Sequence, residues 1–390
     1  MIKFSTRRNL IYVLILLLTY AIRKIVLILI YSYFQFTNSI LYTALMFIGL
    51  LFTGIIIFIY QKYSLPEDKN VYKPILKYKK QVKVGVDSNW KIYSLLIMFG
   101  FFDFIEFKMS VLYLPKIHGF SGSLEDRLCG LIIIFCSIIY RYILKYPLFR
   151  HHICSLLVIG LCLVIIIITE ILFQLDNILM FNNASKFILL VLLIIVELFF
   201  LSMLHLGDKY LLEYDSLKTY KMAIVEGLSG LIFTFIAFLE DNPIIKLKKI
   251  YDKETVGSFI LFIFLLLCYC ILSGIANIYR LEVNKLYSPM VVTLSNYFLN
   301  PIIMIYNFIS GNDFIIGGSK NLFYFLINLI LSFIISITGL VYNEFIVLFF
   351  CGLEHNTYKE ITKRSKDVDE LIELREMADD NDTEKDDDDI

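Results

Sequence analysis

Ten mostly apolar stretches, each about twenty residues or longer, follow one another along this chain, and they constrain its fold more than any other feature. They run at roughly 9–33, 39–60, 91–114, 124–144, 150–172, 186–207, 219–239, 255–279, 288–309 and 322–350. A helix needs about 20 residues to cross ~30 Å of hydrocarbon. Inside a bilayer every backbone N–H and C=O must be satisfied internally, and stretches of this length do that as helices. The composition agrees: 58% of the residues are hydrophobic and 18% are charged, where soluble domains carry about a quarter. The expected fold is therefore an all-α membrane protein of ten transmembrane helices. The lipid bilayer is its first partner.

Several function classes are excluded. The formal net charge is zero, so no electrostatic case exists for nucleic acid as a partner. The seven cysteines lie mostly inside apolar blocks, and Cys268-Tyr-Cys270 lacks metal-site spacing. They read as reduced packing residues, with neither a disulfide framework nor a zinc site. Five histidines, with only His151 and His152 adjacent, cannot build the multi-histidine iron cluster of membrane oxygenases. "GFSGS" is short and lacks the lysine of a phosphate loop. No cofactor, no metal and no enzymatic activity are expected.

Charge between the blocks sets the topology. Lys62, Lys69, Lys73, Lys77, Lys79, Lys80, Lys83 and Lys91 crowd the segment after the second block. Basic residues also precede the first block (Lys3, Arg7, Arg8) and follow the fourth, sixth, eighth and tenth. Phe34 to Asn38 carries no charge. By the positive-inside rule both termini are cytosolic. The loop after block seven dissents, with Lys246, Lys248, Lys249 and Lys253 set against Glu240, Asp241, Asp252 and Glu254. The two long internal loops follow blocks two and seven, five spans apart. A five-plus-five inverted repeat puts such loops on opposite faces. The expected organisation is a cytosolic 1–8, a transporter domain 9–350 with repeats at about 9–172 and 186–350, an amphipathic juxtamembrane segment 351–378, and a disordered acidic tail 379–390. Asn183 in "NNAS" is a glycosylation sequon in a lumenal loop. Asn381 in "NDT" falls on the cytosolic tail and should stay bare.

Ionisable groups inside spans are costly and usually face a cavity or a partner. Arg23 and Lys24 are adjacent deep in block one, pointing about a hundred degrees apart, so one can face inward while the other snorkels. Asp103 and Glu106 are three apart and share a helix face. Asn296 and Asn300 share a face in block nine, just before Pro301. These six are the candidate substrate and coupling residues. Glu226 reads either as a carboxylate paired with Lys221 near the cytosolic interface or as a lining of the path. Gly227 and Gly230 beside it let another helix or a ligand approach. Glu197 sits alone inside block six. Asn277 and Arg280 share a face at the end of block eight. Interfacial roles are expected for Asn343, Glu344 and the His151-His152 pair.

"SGSLEDRLCGLIIIFCSIIYRYILKYPLFRHHICSLLVIGLCLVIIII" resembles the fourth-to-fifth helix unit of the drug/metabolite transporter superfamily. There a Ser-rich approach, an Arg and a Gly precede an apolar helix, and a basic "RHH" opens the next. "YKMAIVEGLSGLIF" is similar to the seventh-helix start of the solute carrier family 35 relatives, and "YSPMVVTLSNYFLNPIIMIY" to their ninth helix. The likeness covers most of 90–355. It implies a central cavity between two halves and alternating access without ATP. It names no substrate, but implies transport across an organelle membrane (Golgi, ER or vacuolar-lysosomal) rather than the plasma membrane; a basic group in the cavity, Arg23 or Lys24, would attract a small polar solute that is anionic or zwitterionic. Glu226 then corresponds to the family's seventh-helix glutamate near the cytosolic gate, and a homodimer is an admissible assembly. The alternative is a non-transporting scaffold or trafficking protein on the same fold.

Overall fold

A computed structural model describes residues 7–36, 38–64, 89–108, 124–142, 148–173, 184–213, 217–238, 243–253, 255–287, 289–310, 315–316, 319–347 and 357. The helices are α1 (Arg7–Phe34), α2 (Ser39–Ser64), α3 (Asn89–Lys108), α4 (Leu124–Leu128), α5 (Gly130–Tyr142) and α6 (Arg150–Phe173). They continue as α7 (Ala184–Glu213), α8 (Thr219–Ala237), α9 (Pro243–Lys253), α10 (Val256–Leu286), α11 (Pro289–Ser310) and α12 (Leu322–Tyr342). A two-residue antiparallel ladder, β1 (Ile315–Ile316) with β2 (Ser319–Lys320), precedes α12. Asn183, the 365–377 amphipathic segment, the acidic tail with Asn381 and most of the lysine-rich loop lie outside the described residues.

Local chemistry sets the helix starts. The side chains of Asn38, Thr255 and Asn321 each accept a backbone N–H in the first turn of α2, α10 and α12. Pro243 and Pro289 open α9 and α11, where a missing N–H costs nothing.

Among the described residues eight helices are long and apolar enough to cross a membrane: α1, α2, α6, α7, α8, α10, α11 and α12. The chain is an integral, multi-span membrane protein. Two of the ten expected spans look different. Block three is helical as α3, but Lys91, Asp103, Glu106 and Lys108 lower its hydropathy. Block four is not one continuous helix: it turns at Cys129 between α4 and α5. The turn has a polar anchor, because the Tyr297 hydroxyl donates to the Arg127 carbonyl at 2.6 Å and accepts the Gly130 N–H at 2.9 Å. That is what lets backbone leave a helix at membrane depth. The dissenting loop after block seven is the helix α9, which packs on α10.

Leu157, Phe235 and Ile302 are exposed, while Arg127, Glu170, Asp208, Glu226 and Arg280 are buried. This polarity reverses that of a soluble protein. Among the described residues two large apolar cores form, beside two smaller ones. The first, with Phe47, Leu50, Leu96, Phe262 and Tyr269, gathers α1, α2, α3, α7, α8, α9 and α10. The second, with Ile133, Ile159, Ile166, Ile194 and Tyr297, gathers α4, α5, α6, α11 and α12 with the first half of α7. In the first, α2 and α10 meet backbone to backbone: a Cβ on Gly274 would lie 2.3 Å from the Gly49 carbonyl oxygen. In the second, α6 packs along α12. Spanning helices alternate direction, so the ends of α7 and α10 and the starts of α6 and α8 share the face on which α1 begins. The end of α6 and the start of α12 lie at the opposite face.

Candidate functional site

The first buried charge network lies toward the N-terminal face, at the end of α10. Arg280 is 2% exposed and meets three carboxylates from three other helices. They are Asp103 of α3 at 3.6 Å, Asp208 of α7 at 3.8 Å and Glu226 of α8 at 3.4 Å. One guanidinium therefore serves three acids. Asp103 Oδ2, Glu226 Oε1 and both oxygens of Asp208 have no hydrogen-bond partner among the described residues. Asn284 donates to the His205 carbonyl at 3.0 Å, which ties α10 to α7 one turn away.

Glu226 is thus an ion-pair partner of Arg280, and Lys221 is exposed; of the two readings of Glu226, the pairing with Lys221 is not found among the described residues. The reason is helical geometry. Five residues turn a helix well past one revolution, and Lys221 points outward while Glu226 faces the crossing of α8 with α10. Its two glycines act on a different helix: a Cβ on Gly227 would lie 3.0 Å from the Leu51 backbone N, and one on Gly230 would lie 2.2 Å from the Phe47 ring. Both let α2 approach α8.

A second network lies toward the opposite face. Arg127 of α4 and Glu170 of α6 form an ion pair at 3.0 Å with both side chains fully buried. Arg127 also donates to the Tyr324 hydroxyl at 2.9 Å and to Asn328 Oδ1 at 3.1 Å, both on α12. Tyr324 donates in turn to Glu170 Oε2. None of these four was a sequence candidate. Glu170 and Tyr324 sit within a few residues of a helix end, where a polar residue reads as interfacial. The signal that finds them is the Glu170–Arg127 charge complement on neighbouring blocks.

Between the two networks, α1, α3, α4, α7 and α11 bring together half-exposed charges. Lys24 pairs with Asp126 at 2.5 Å, and Asn300 donates to the Asp126 carbonyl at 2.6 Å. The guanidinium of Arg23 lies 4.8 Å above the Tyr20 ring. Arg23 and Glu106 lie in the same electrostatic field, and neither has an ion pair within 4 Å among the described residues. Asp103 and Glu106, expected as a matched pair lining one cavity, divide their work. Asp103 is buried against Arg280, and Glu106 is half-buried. Asn296 lies on α11, and its side chain is outside the described set. Glu197 of α7 is 1% exposed, and its side chain is hydrogen-bonded to that of Glu125 on α4.

Among the described residues one cluster has metal-ligand residue types. His151, His152 and Glu344 place three ligand atoms within 4.8 Å of one another. The hydrogen bonding argues for a helix cap. The Phe149 N–H donates to His152 Nδ1 at 3.1 Å, the reach from the third helical position back to the N-cap. A neutral His152 then carries its proton on Nε2, which faces His151 Nε2 at 3.2 Å and is not free for a metal. Glu344 approaches His151 at 3.3 Å from a left-handed backbone conformation, φ 60, the position that ends α12.

No protein-family profile matches the chain, and no curated protein does. A solved crystal structure described only as that of a protein is similar over 86% of this chain and 99% of its own. Its identity is 15% and its TM-score 0.53. At that identity the likeness is one of fold alone.

Proposed function

We propose that this chain is a secondary-active or exchange transporter, carrying a small polar solute across an endomembrane by alternating access, with both termini cytosolic. The observation that carries the reading is the pair of buried ion networks, Arg280 with its three acids and Arg127 with Glu170. They lie toward opposite faces and flank a belt of half-exposed charges. Buried ions are costly in a bilayer, and a scaffold has no use for two such networks with accessible charge between them. An alternating-access protein needs a closable constriction on each side of a central site.

Helix packing supports a ten-span, five-plus-five inverted repeat in which α4 and α5 together make the fourth span. Under a shift of five spans, α1 corresponds to α7, α2 to α8, α3 to α10, α4–α5 to α11, and α6 to α12. Neighbours map onto neighbours. The contact of α1 with α10 matches that of α7 with α3, and α2 with α10 matches α8 with α3. Likewise α5 with α7 matches α11 with α1, and α5 with α6 matches α11 with α12. The spans α2, α5 and α6 each pack on their own counterpart, as helices beside a pseudo-two-fold axis do. This arrangement is consistent with membership of the drug/metabolite transporter superfamily among the solute carrier family 35 relatives.

The test is counterflow in proteoliposomes preloaded with a panel of polar metabolites. Accelerated uptake of a labelled panel member against its own internal pool is expected. Liposomes indistinguishable from protein-free controls across the panel would contradict the reading.

A further inference from the structure

Helix α9 breaks the charge pattern of the other loops. It joins the end of α8 to the start of α10, and both are spans, so it sits at the face opposite the start of α1. The basic residues that follow blocks two, four, six, eight and ten all fall at the other face. A charge bias set during insertion therefore does not account for Lys246, Lys248, Lys249 and Lys253. Among the 11 residues of the helix these four lysines stand against Asp252 alone. Glu240, Asp241 and Glu254 belong to the chain on either side of it.

The helix is held where hydrocarbon gives way to water. Leu247 and Ile250, three apart on one stripe, pack against the first apolar core, and the Tyr251 ring meets that of Phe259 edge-on at 5.1 Å. Val256, Ile260 and Leu261, on the first turns of α10, are exposed apolar residues of a spanning helix, so lipid chains begin within a turn or two of α9. Ile244 and Tyr251, seven apart, share a second stripe, and both are exposed. Lys248, one turn on from Ile244, is exposed as well. Positions 246, 249 and 253 share a third stripe, about half a turn round the helix from the second. An apolar flank set against a basic one is the pattern of a helix lying in the interfacial plane. We infer that α9 binds the phosphates of anionic phospholipids in the leaflet at that face, with Ile244 and Tyr251 turned to the acyl chains and the lysines to the headgroups. Lysine stems are long enough to run along the acyl boundary while the ammonium reaches a phosphate. The occupant is lipid and not a soluble anion, because both ends of α9 are tied to spans and headgroups are its permanent neighbours at high local concentration. This surface serves the chain whether or not it transports.

Quenching by brominated lipid tests it without any transport assay. Trp90 is the one tryptophan of the chain, so Tyr251→Trp in a Trp90→Phe background places a single reporter on α9. The full chain is reconstituted in phosphatidylcholine vesicles that contain rising fractions of dibrominated phosphatidylglycerol or, in parallel, of dibrominated phosphatidylcholine. The two quenching curves give the relative binding constant of the anionic lipid at the reporter. It should favour phosphatidylglycerol by about fivefold or more, the worth of one lysine near an anionic surface. The preference should fall toward one in Lys248→Gln/Lys249→Gln/Lys253→Gln, and at about 1 M salt, which screens exposed charges. Lys248→Gln alone should show part of that fall if the triple variant is not recovered. Inorganic phosphate at matched ionic strength should leave the preference unchanged. A reporter from Leu172→Trp in the same background, at an exposed position on the same face, should show no preference. The proposal is overturned if neither lipid quenches at position 251, if both quench equally, if the lysine variants keep the preference, if inorganic phosphate abolishes it, or if position 172 shows it equally.

Discussion

Replacing Arg127 with leucine should be among the most damaging single changes in this chain. The substitution leaves the Glu170 carboxylate buried without its arginine, still accepting from Tyr324, and deprives Asn328 Oδ1 of the Arg127 donor. At 3.0 Å and an effective dielectric of about 20, the lost attraction is about 5–6 kcal/mol. Part of the desolvation penalty of both groups is removed with the arginine, so the net loss should fall at about 3–5 kcal/mol, the usual cost of breaking a buried pair from one side. For a chain of this length that is a drop of about 4–6 °C in melting midpoint. Heating the detergent-solubilised protein and following the monodisperse fraction by size-exclusion chromatography reads it directly. The companion Arg127→Leu/Glu170→Leu removes both charges, and it should recover much of the loss, with a coupling of about 2–3 kcal/mol between the sites. A single variant melting within a degree of the parent, or a double variant worse than the sum of its parts, would refute the reasoning.

Three further outcomes are expected. Arg280→Gln leaves Asp103, Asp208 and Glu226 facing one another without their cation; it should melt well below the parent near neutral pH, and the deficit should shrink as acid protonates the three, read by melting at two pH values. Gly274→Leu should separate α2 from α10, because even its Cβ would lie 2.3 Å from the Gly49 carbonyl oxygen; overpacking of about 1–3 kcal/mol or more should appear as a lowered midpoint, and an unchanged one would mean the contact is loose. Asp103→Asn and Glu106→Gln should part company: the first weakens the fold through Arg280, and the second leaves the fold intact while altering the rate or pH dependence of uptake.

The apolar blocks were legible because the bilayer demands about twenty residues per span whatever the partners. Eight emerge as long apolar helices, and the remaining two differ for reasons written in their residues. The charges in α3 lower its hydropathy, and the Cys129 turn needs the Tyr297 hydroxyl, 168 positions along the chain. Gly227 and Gly230 could be read only as admitting a neighbour, helix or ligand; that α2 comes up against them is seen in the structure alone. Pairing was not legible. Glu226 could be seen to need a partner, but Arg280 is brought to it only by the crossing of α8 and α10. Arg127 and Glu170 escaped notice because each stands near the end of an apolar run, where sequence alone cannot separate a buried ion from an interfacial one. Asp103 and Glu106 share a helix face, yet a three-residue step is enough to send one into a buried ion pair and leave the other half-exposed.

Alternating access requires the two faces to open in opposition, and distances between α6 and α10 measure that at both ends. In a cysteine-free background, spin labels at Arg150 and Lys285 report on the N-terminal face, and labels at Leu172 and Val256 on the opposite one; all four positions are exposed. Double electron–electron resonance in lipid should give two populations for each pair. Adding a transported solute, or changing pH, should shift the two pairs in opposite directions, one lengthening as the other shortens. A single unchanging distance at both faces, under every condition that supports uptake, would contradict the account.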